Sequence, residues 1–275
     1  MKINLTAIIL TCNEEKNIQG CLKNLNWVSR IVIVDSGSTD HTTKYAEEFG
    51  CDVYRNPWKG FANQRNWALQ EVGINTEWII FIDADEVVTS QMREEITAAL
   101  KSRDCNAFYL CYKVIFLGKW VKYSSGFPVW HPRIVRNGFV HFRESITGHG
   151  ETWEVNGRAG YIQEPYIHYC FSKGITSWFE KHNRLSTMEM EVSISDRKPF
   201  LKCIMGLLNQ DSHKRRQSLR ALSYYMPFRP FVRFFYQFIL KGGILDGKAG
   251  WAYCCLYLAY EIMISVKILE RKYSG

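Results

Sequence analysis

Leu5–Leu10 and Ile31–Val34 are short, continuous apolar runs rich in β-branched residues; Glu77–Ile82 is a third, and Asp52–Tyr54 a shorter one. Unbroken apolar runs are what strands buried on both faces require. Between them the period changes, and Glu14–Asn24, Asp40–Phe49 and Phe61–Glu71 read as helices. This βαβα rhythm predicts an α/β fold with a parallel sheet and right-handed crossovers. Such sheets take ligands beyond the carboxyl ends of their strands, so the residues just after each strand are the ones to inspect. Further on, Gln91–Leu100 predicts a helix with Met92, Ile96, Ala99 and Leu100 on one face, and Asn106–Phe116 a long strand. Trp120–Glu154, rich in aromatics, Gly, Pro, His and Arg, reads as loops and short strands around a site. From Gly174 onward the pattern is helical.

The last third differs in kind. His213-Lys214-Arg215-Arg216 is a basic cluster, and Pro227–Phe235 interleaves Arg229 and Arg233 with aromatics. Ala249–Leu269 is long enough to span a bilayer, but Glu261 and Lys267 interrupt it and no polar partner helix is evident. The pattern therefore predicts an interfacial helix rather than a span. Gly242-Gly243 and Gly247 allow a turn between the two apolar stretches. The result would be a helical hairpin in the headgroup boundary, with Arg229 and Arg233 meeting anionic lipid.

Composition narrows the picture. With 275 residues, 47% of them apolar and 23% charged, the chain can build a substantial core and is not disordered. A net charge of +8 favours anionic partners: nucleic acid, phosphorylated sugars or an acidic lipid surface. Nine cysteines without a CxxC pair read as reduced thiols, mostly in apolar runs. Leu5–Leu10 is too short for a signal-peptide core, so the N-terminus is expected to belong to the fold.

The chemistry gathers where strands end. Asp83-Ala84-Asp85 follows a buried strand, so two carboxylates emerge at the ligand edge and can turn towards one hard cation, Mg²⁺ or Mn²⁺, shared with a diphosphate. Alone, such a short triplet reads as a solvated acidic turn; its context changes that. Asp35 leaves the second strand at the same edge, where a carboxylate can accept the imide N–H of a uracil. A plain capping turn accounts for Ser38 and Asp40 without needing Asp35. After the first strand, Thr11-Cys12-Asn13-Glu14-Glu15 is either a polar part of that edge or an acidic first helical turn.

The runs "AIILTCNEEKNIQGCLKNLNWVSRIVIVDSGSTDHT", "WKGFANQRNWAL" and "WIIFIDADEVV", in that order, resemble family 2 glycosyltransferases, in particular the subgroup with lipopolysaccharide-core β-glucosyltransferases. The likeness continues more weakly through "GHGE", "HY" and "GGILDGKAG". It implies a GT-A fold, a nucleotide diphosphate sugar as donor, a divalent cation and inversion at the anomeric carbon. Residues 1–105 would form the nucleotide-sugar half, 106–195 the acceptor half, and 196–275 a membrane-associating helical region. Thr11, Asn13, Glu14, Asp35, Ser38 and Asp83 would line the donor site. Asp85, with Asp83 and His168, would hold the metal, although a histidine beside aromatics is also an ordinary core residue.

Inversion needs a general base on the acceptor hydroxyl. The resemblance puts it near His149-Gly150-Glu151, with Glu151 first and Glu144 second; relatives have a contiguous acidic or His-Glu pair, where this chain inserts a glycine. Arg65, beside Gln64 and Asn66, could neutralise donor phosphate or sit on a solvated helix face. Lys181 and Arg184, on one helix with Trp178 and His182, could face diphosphate or solvent. The acceptor implied is a lipid-linked saccharide at the cytoplasmic face of a bacterial inner membrane, met through an anionic surface. Rival classes fare less well. A nicotinamide dehydrogenase would need GxGxxG after the first strand. A nucleotidyltransferase shares the acidic site but has no use for the tail. A non-catalytic membrane scaffold would not need Asp35, Asp83 and Asp85. Nucleic-acid binding would set the tail's arginines on a polar face, not among bulky apolar residues.

Overall fold

The computed structural model describes residues 2–102, 104–144, 151–195, 199–226 and 228–273. The chain alternates β1 (Ile3–Thr11), α1 (Ile18–Lys23), β2 (Val28–Asp35), α2 (Thr42–Glu48), β3 (Asp52–Arg55), α3 (Phe61–Glu71) and β4 (Trp78–Asp83). There follow β5 (Glu86–Val87), α4 (Ser90–Ala99), β6 (Ala107–Phe116), β7 (Lys119–Trp120), β8 (Trp130–Arg136), β9 (Val140–Glu144), β10 (Glu151–Val155) and β11 (Ala159–His168). The main sheet runs β3-β2-β1-β4-β8-β6-β11-β5. Its β3-β2-β1-β4 half is parallel, β8 is antiparallel to both β4 and β6, and β11 runs parallel to β6. The sheet is thus mixed, its parallel half being the one that the βαβα rhythm predicts.

The apolar runs are strands for the expected reason: both faces are covered. Leu5, Ala7 and Ile9 face one core with Ile18, Leu22, Ala46, Met92 and Ile96 from α1, α2 and α4. Ile8, Val32, Val34, Ile79 and Phe81 face a second core with Ala62 and Ala68 of α3 and Phe142 of the β9–β10 hairpin. Parallel register then levels the strand ends: Thr11 pairs with Asp35, and Leu10 with Asp83.

The helix expected over Glu14–Asn24 begins only at Ile18. The amides of Asn13, Glu14 and Glu15 are taken instead by side chains after β2: Ser38 Oγ (2.8 Å), Thr42 Oγ1 (2.7 Å) and Asp40 Oδ2 (3.2 Å). Asn13 itself stands at φ +55°, outside helical backbone, so no helix runs through it. All nine cysteines carry free thiols.

The chain divides into two compact units. The first runs to Gly174; the second takes Ile175 onward together with Tyr123–Ser125. The second unit contains α5 (Gly174–Ser195), α6 (Phe200–Leu207), α7 (Ser212–Ser223), α8 (Arg229–Phe235, ending in a π turn over Tyr236–Leu240), a 3₁₀ turn (Gly243–Asp246) and α9 (Gly247–Tyr273). Asp246 Oδ2 accepts the amides of Tyr123 (3.0 Å) and Ser124 (2.7 Å). A Cβ on Gly250 would lie 2.3 Å from the Gly243 carbonyl oxygen and 2.8 Å from Ser124 Oγ, so only glycine permits this approach. The "GGILDGKAG" run is therefore a clasp for residues 123–125.

Gly243–Tyr273 is long and apolar enough to cross a membrane by length and composition. The expectation that its charges lack partners is overturned. Glu261 is fully buried and paired with both Arg229 and Arg233. Lys267 Nζ donates to Asn183, Ser186 and Thr187 of α5 over 2.6–2.8 Å. Arg229 and Arg233 thus answer a carboxylate of α9 rather than lipid, because an unpaired buried charge would cost far more than the packing gains.

Candidate active site

Asp35 is the hub of the turn after β2. Its Oδ2 accepts the amides of Gly37 (2.9 Å) and Ser38 (2.8 Å), and its Oδ1 accepts the hydroxyls of Thr11 (2.9 Å) and Ser38 (2.5 Å). Gly37, at φ +101°, makes the turn possible. The capping turn does need Asp35, which is its main acceptor. Asn13, itself at φ +55°, accepts the Thr39 amide at 2.8 Å. Glu14 binds Lys173 Nζ at 2.5 Å, and burial nevertheless raises its carboxyl. Lys173, from the segment after β11, therefore joins the end of β1 at the same edge.

The solvated-face reading of α3 does not hold. Gln64 and Arg65 are buried, at 0% and 2% exposure. Gln64 Nε2 donates to Ser36 Oγ (2.7 Å) and the Asn56 carbonyl (3.0 Å), tying α3 to the β2 and β3 ends. Arg65 stacks over Phe81, 4.7 Å from the ring centre, and reaches within 3.8 Å of Asp83. Asn66 exchanges two hydrogen bonds with the Phe142 backbone, fastening β9 to α3.

Arg133 holds the centre. It grips Asp83 through Nη2 (2.9 Å) and Nη1 (3.3 Å), and Nη2 also donates to Glu86 at 2.6 Å. Burial alone would raise the Asp83 carboxyl, but the Arg133 and Arg65 guanidinium groups outweigh it and hold the group well below the carboxylate range. Burial pushes Glu86 up to about 7 against the pull of Arg133. Asp83 is thus braced as an anion, while Asp85 takes a different partner. His168 Nε2, at the end of β11, lies 3.4 Å from Asp85 Oδ2. Burial would lower the His168 ring, but the Asp85 hydrogen bond outweighs it and raises it.

Among the described residues no group of three His, Cys, Asp or Glu side chains surrounds a metal position. The Asp85–His168 pair does supply two adjacent ligands of suitable type, and the buried His168 Nδ1 has no hydrogen-bond partner. Two protein ligands with open positions fit a cation shared with substrate oxygens.

Of the residues expected at the site, Thr11, Asn13, Glu14, Asp35, Ser38, Arg65, Asp83, Asp85 and His168 lie at or beneath this strand edge of the first unit. Glu144 ends β9, and its Oε1 accepts the Ala62 amide at 2.9 Å, capping α3. Gly60 (φ +116°) makes room for it, since a Cβ there would meet Oε1 at 2.4 Å. Glu151 pairs in register with Glu144, the pair of the hairpin nearest its connecting segment. Its side chain, like residues 145–150 with His149 and Gly150, lies outside the described residues. Lys181 is exposed on α5 in the second unit. Arg133 and Lys173 join the site although the sequence pattern does not mark them as site residues. Arg133 had one signal, a cation beside the apolar Ile134-Val135 pair in a strand-like run that Arg136 ends; Lys173 had none.

This strand edge of the first unit thus gathers braced carboxylates, a histidine and polar turns. The chain belongs to glycosyl transferase family 2, whose model matches residues 6–169. It is similar to the lipopolysaccharide core biosynthesis glycosyltransferase LpsC of Rhizobium meliloti, with 35% identity over 108 residues, 38% of this chain and 39% of that one. An uncharacterized glycosyltransferase of Rickettsia felis is 34% identical over 114 residues, 41% and 39% of the two chains. The chain thus spans about two fifths of the length of these relatives. Among solved structures, S. aureus TarS 1–349 in complex with UDP-GlcNAc aligns over 92% of this chain and 79% of that one, at 16% identity and TM-score 0.46.

Proposed function

We propose that the protein is an inverting, metal-dependent hexosyltransferase. It moves sugar from a UDP-sugar to a lipid-linked saccharide in lipopolysaccharide or surface polysaccharide synthesis, at the cytoplasmic face of the inner membrane. The observation that carries the reading is the division of labour in Asp83-Ala84-Asp85: Asp83 is braced by Arg133 and Arg65, while Asp85 pairs with His168. Asp85 and His168 would hold a divalent cation, which when bound offsets charge on the departing diphosphate. Asp83, held ionised, would orient the donor ribose. Asp35 would fix the base-binding turn, with Thr11, Asn13, Glu14 and Ser38 shaping its wall. Glu151 would take the acceptor proton; Glu144 is the second choice, being already engaged at the start of α3. Lys181 would meet donor phosphate.

The LpsC likeness supports the lipopolysaccharide setting, and the exposed apolar surface of α8–α9 supports the membrane. Phe228, Leu240 and Leu245 are 77%, 77% and 70% exposed. The test is hydrolysis and transfer with a panel of nucleotide sugars, with and without EDTA, on wild type and Asp85→Ala. Turnover with one UDP-sugar that EDTA and the substitution both abolish is the expected result. Full turnover by Asp85→Ala, or in excess EDTA, overturns the metal assignment.

A further inference from the structure

The basic cluster after Asp211 finds no use in the donor site, and the helix before it carries an unusual surface. Leu201, Ile204, Met205 and Leu208 fall at i, i+3, i+4 and i+7, one stripe along α6 and its last turn. They are 72%, 40%, 62% and 85% exposed. The opposite side of α6 is the packed one. Cys203 is fully buried there, and a Cβ on Gly206 would stand 2.0 Å from Ser218 Oγ of α7. A helix of a soluble domain turns its apolar stripe inward; this one turns it out.

The polar half of the motif is as ordered. Lys202 on α6 and Lys214, Arg215 and Arg216 on α7 are exposed, and residues 199–226 contain five Lys and Arg against one Asp. Arg215 Nη1 donates to the carbonyls of Asn209 (3.2 Å) and Gln210 (3.3 Å), pinning the turn that presents Leu208. The apolar stripe of α6 and the cationic run of α7 thus lie on neighbouring helices that pack together through Gly206 and Ser218. The stripe is about 10 Å long, at 1.5 Å per residue.

We propose that α6–α7 is a membrane contact separate from α8–α9, with the α6 stripe in the acyl boundary of an anionic leaflet and the α7 cations among its headgroups. The occupant is chosen by charge: a bare apolar stripe bordered by cations complements an anionic interface. The inference rests on the membrane reading above, and its test separates the two.

Full-length protein is floated with phosphatidylglycerol-containing vesicles and with phosphatidylcholine vesicles, and amide exchange is followed over residues 200–208. Slowed exchange there on anionic vesicles is expected. Leu201→Ser/Met205→Ser/Leu208→Ser should weaken partitioning on the order of a hundredfold, for three large apolar side chains partly withdrawn from water. Lys214→Gln/Arg216→Gln should cost about thirtyfold on anionic vesicles and nothing on zwitterionic ones. Unchanged melting curves, expected for exposed positions, exclude misfolding. Wild type that ignores anionic vesicles overturns both readings. Wild-type binding that the triple variant retains, without slowed exchange in α6, overturns the hairpin contact alone. A concentration-dependent dimer without lipid, broken by the triple variant, overturns it in favour of a second copy.

Discussion

Glu261 makes the most exposed wager on how the second unit is held. Replacing it with Met removes the carboxylate that Arg229 and Arg233 share. Arg233 is half exposed, so its guanidinium moves into water at little cost. Arg229 is not so placed: its side chain is only 10% exposed, and Nη1 lies 2.7 Å from Glu261 Oε2 in an ion pair. Removing one member of a buried pair costs about 3–5 kcal/mol. Arg229 keeps its stacking over Tyr224, 4.1 Å from the ring centre, and a 3.3 Å bond to Ser223, so the lower end, about 3 kcal/mol, applies. The second half of the argument is non-additivity. Adding Arg229→Met removes the stranded charge, and a buried pair exchanged for apolar residues is commonly neutral or better. The double variant should therefore recover at least about 2 kcal/mol of the loss, an interaction energy typical of residues in direct contact. Urea unfolding of the full chain, followed by far-UV circular dichroism, measures all four corners of the cycle. A single variant within about 0.5 kcal/mol of wild type, or additive losses, would refute the account.

Three further outcomes follow from the site and its supports. Glu151→Gln should leave donor affinity nearly unchanged and lower kcat roughly a hundredfold, the scale of a lost general base; if Glu144→Gln shows that pattern instead, the base is Glu144. Gly60→Ala should destabilise by about 1–3 kcal/mol in thermal melts, because φ is +116° and the new Cβ meets the Glu144 carboxylate. Gly250→Ala should cost a similar about 1–3 kcal/mol by overpacking against the Gly243 carbonyl, and wild-type stability would show that the clasp gives way freely.

What the chain made legible was local. Buried strands announce themselves because both faces need apolar residues, and Phe61–Glu71 is the α3 that its pattern predicts. Asp83 and Asp85 were placed by the simple fact of following such a strand. What stayed hidden depends on partners far along the chain. Arg133 meets Asp83 across 50 residues, and Lys173 meets Glu14 across 159. Glu14 and Glu15 were expected to open a helix, but they are held to side chains after β2, and α1 begins only at Ile18. The burial of Arg65 and the pairing of Glu261 were likewise unreadable, because a charge on a helix says nothing of whether another helix will answer it.

The clasp of Asp246 and Gly250 on Ser124 has a consequence in time. The Ser124 amide finds its acceptor 122 residues later in the chain. At ribosomal speeds of about 5–20 residues per second, that is an interval on the order of ten seconds. Through that interval the sheet to either side can pair while residues 123–125 wait for α9. A nascent chain stalled or cut before Gly250 would carry this stretch unfastened, a natural foothold for chaperones and proteases.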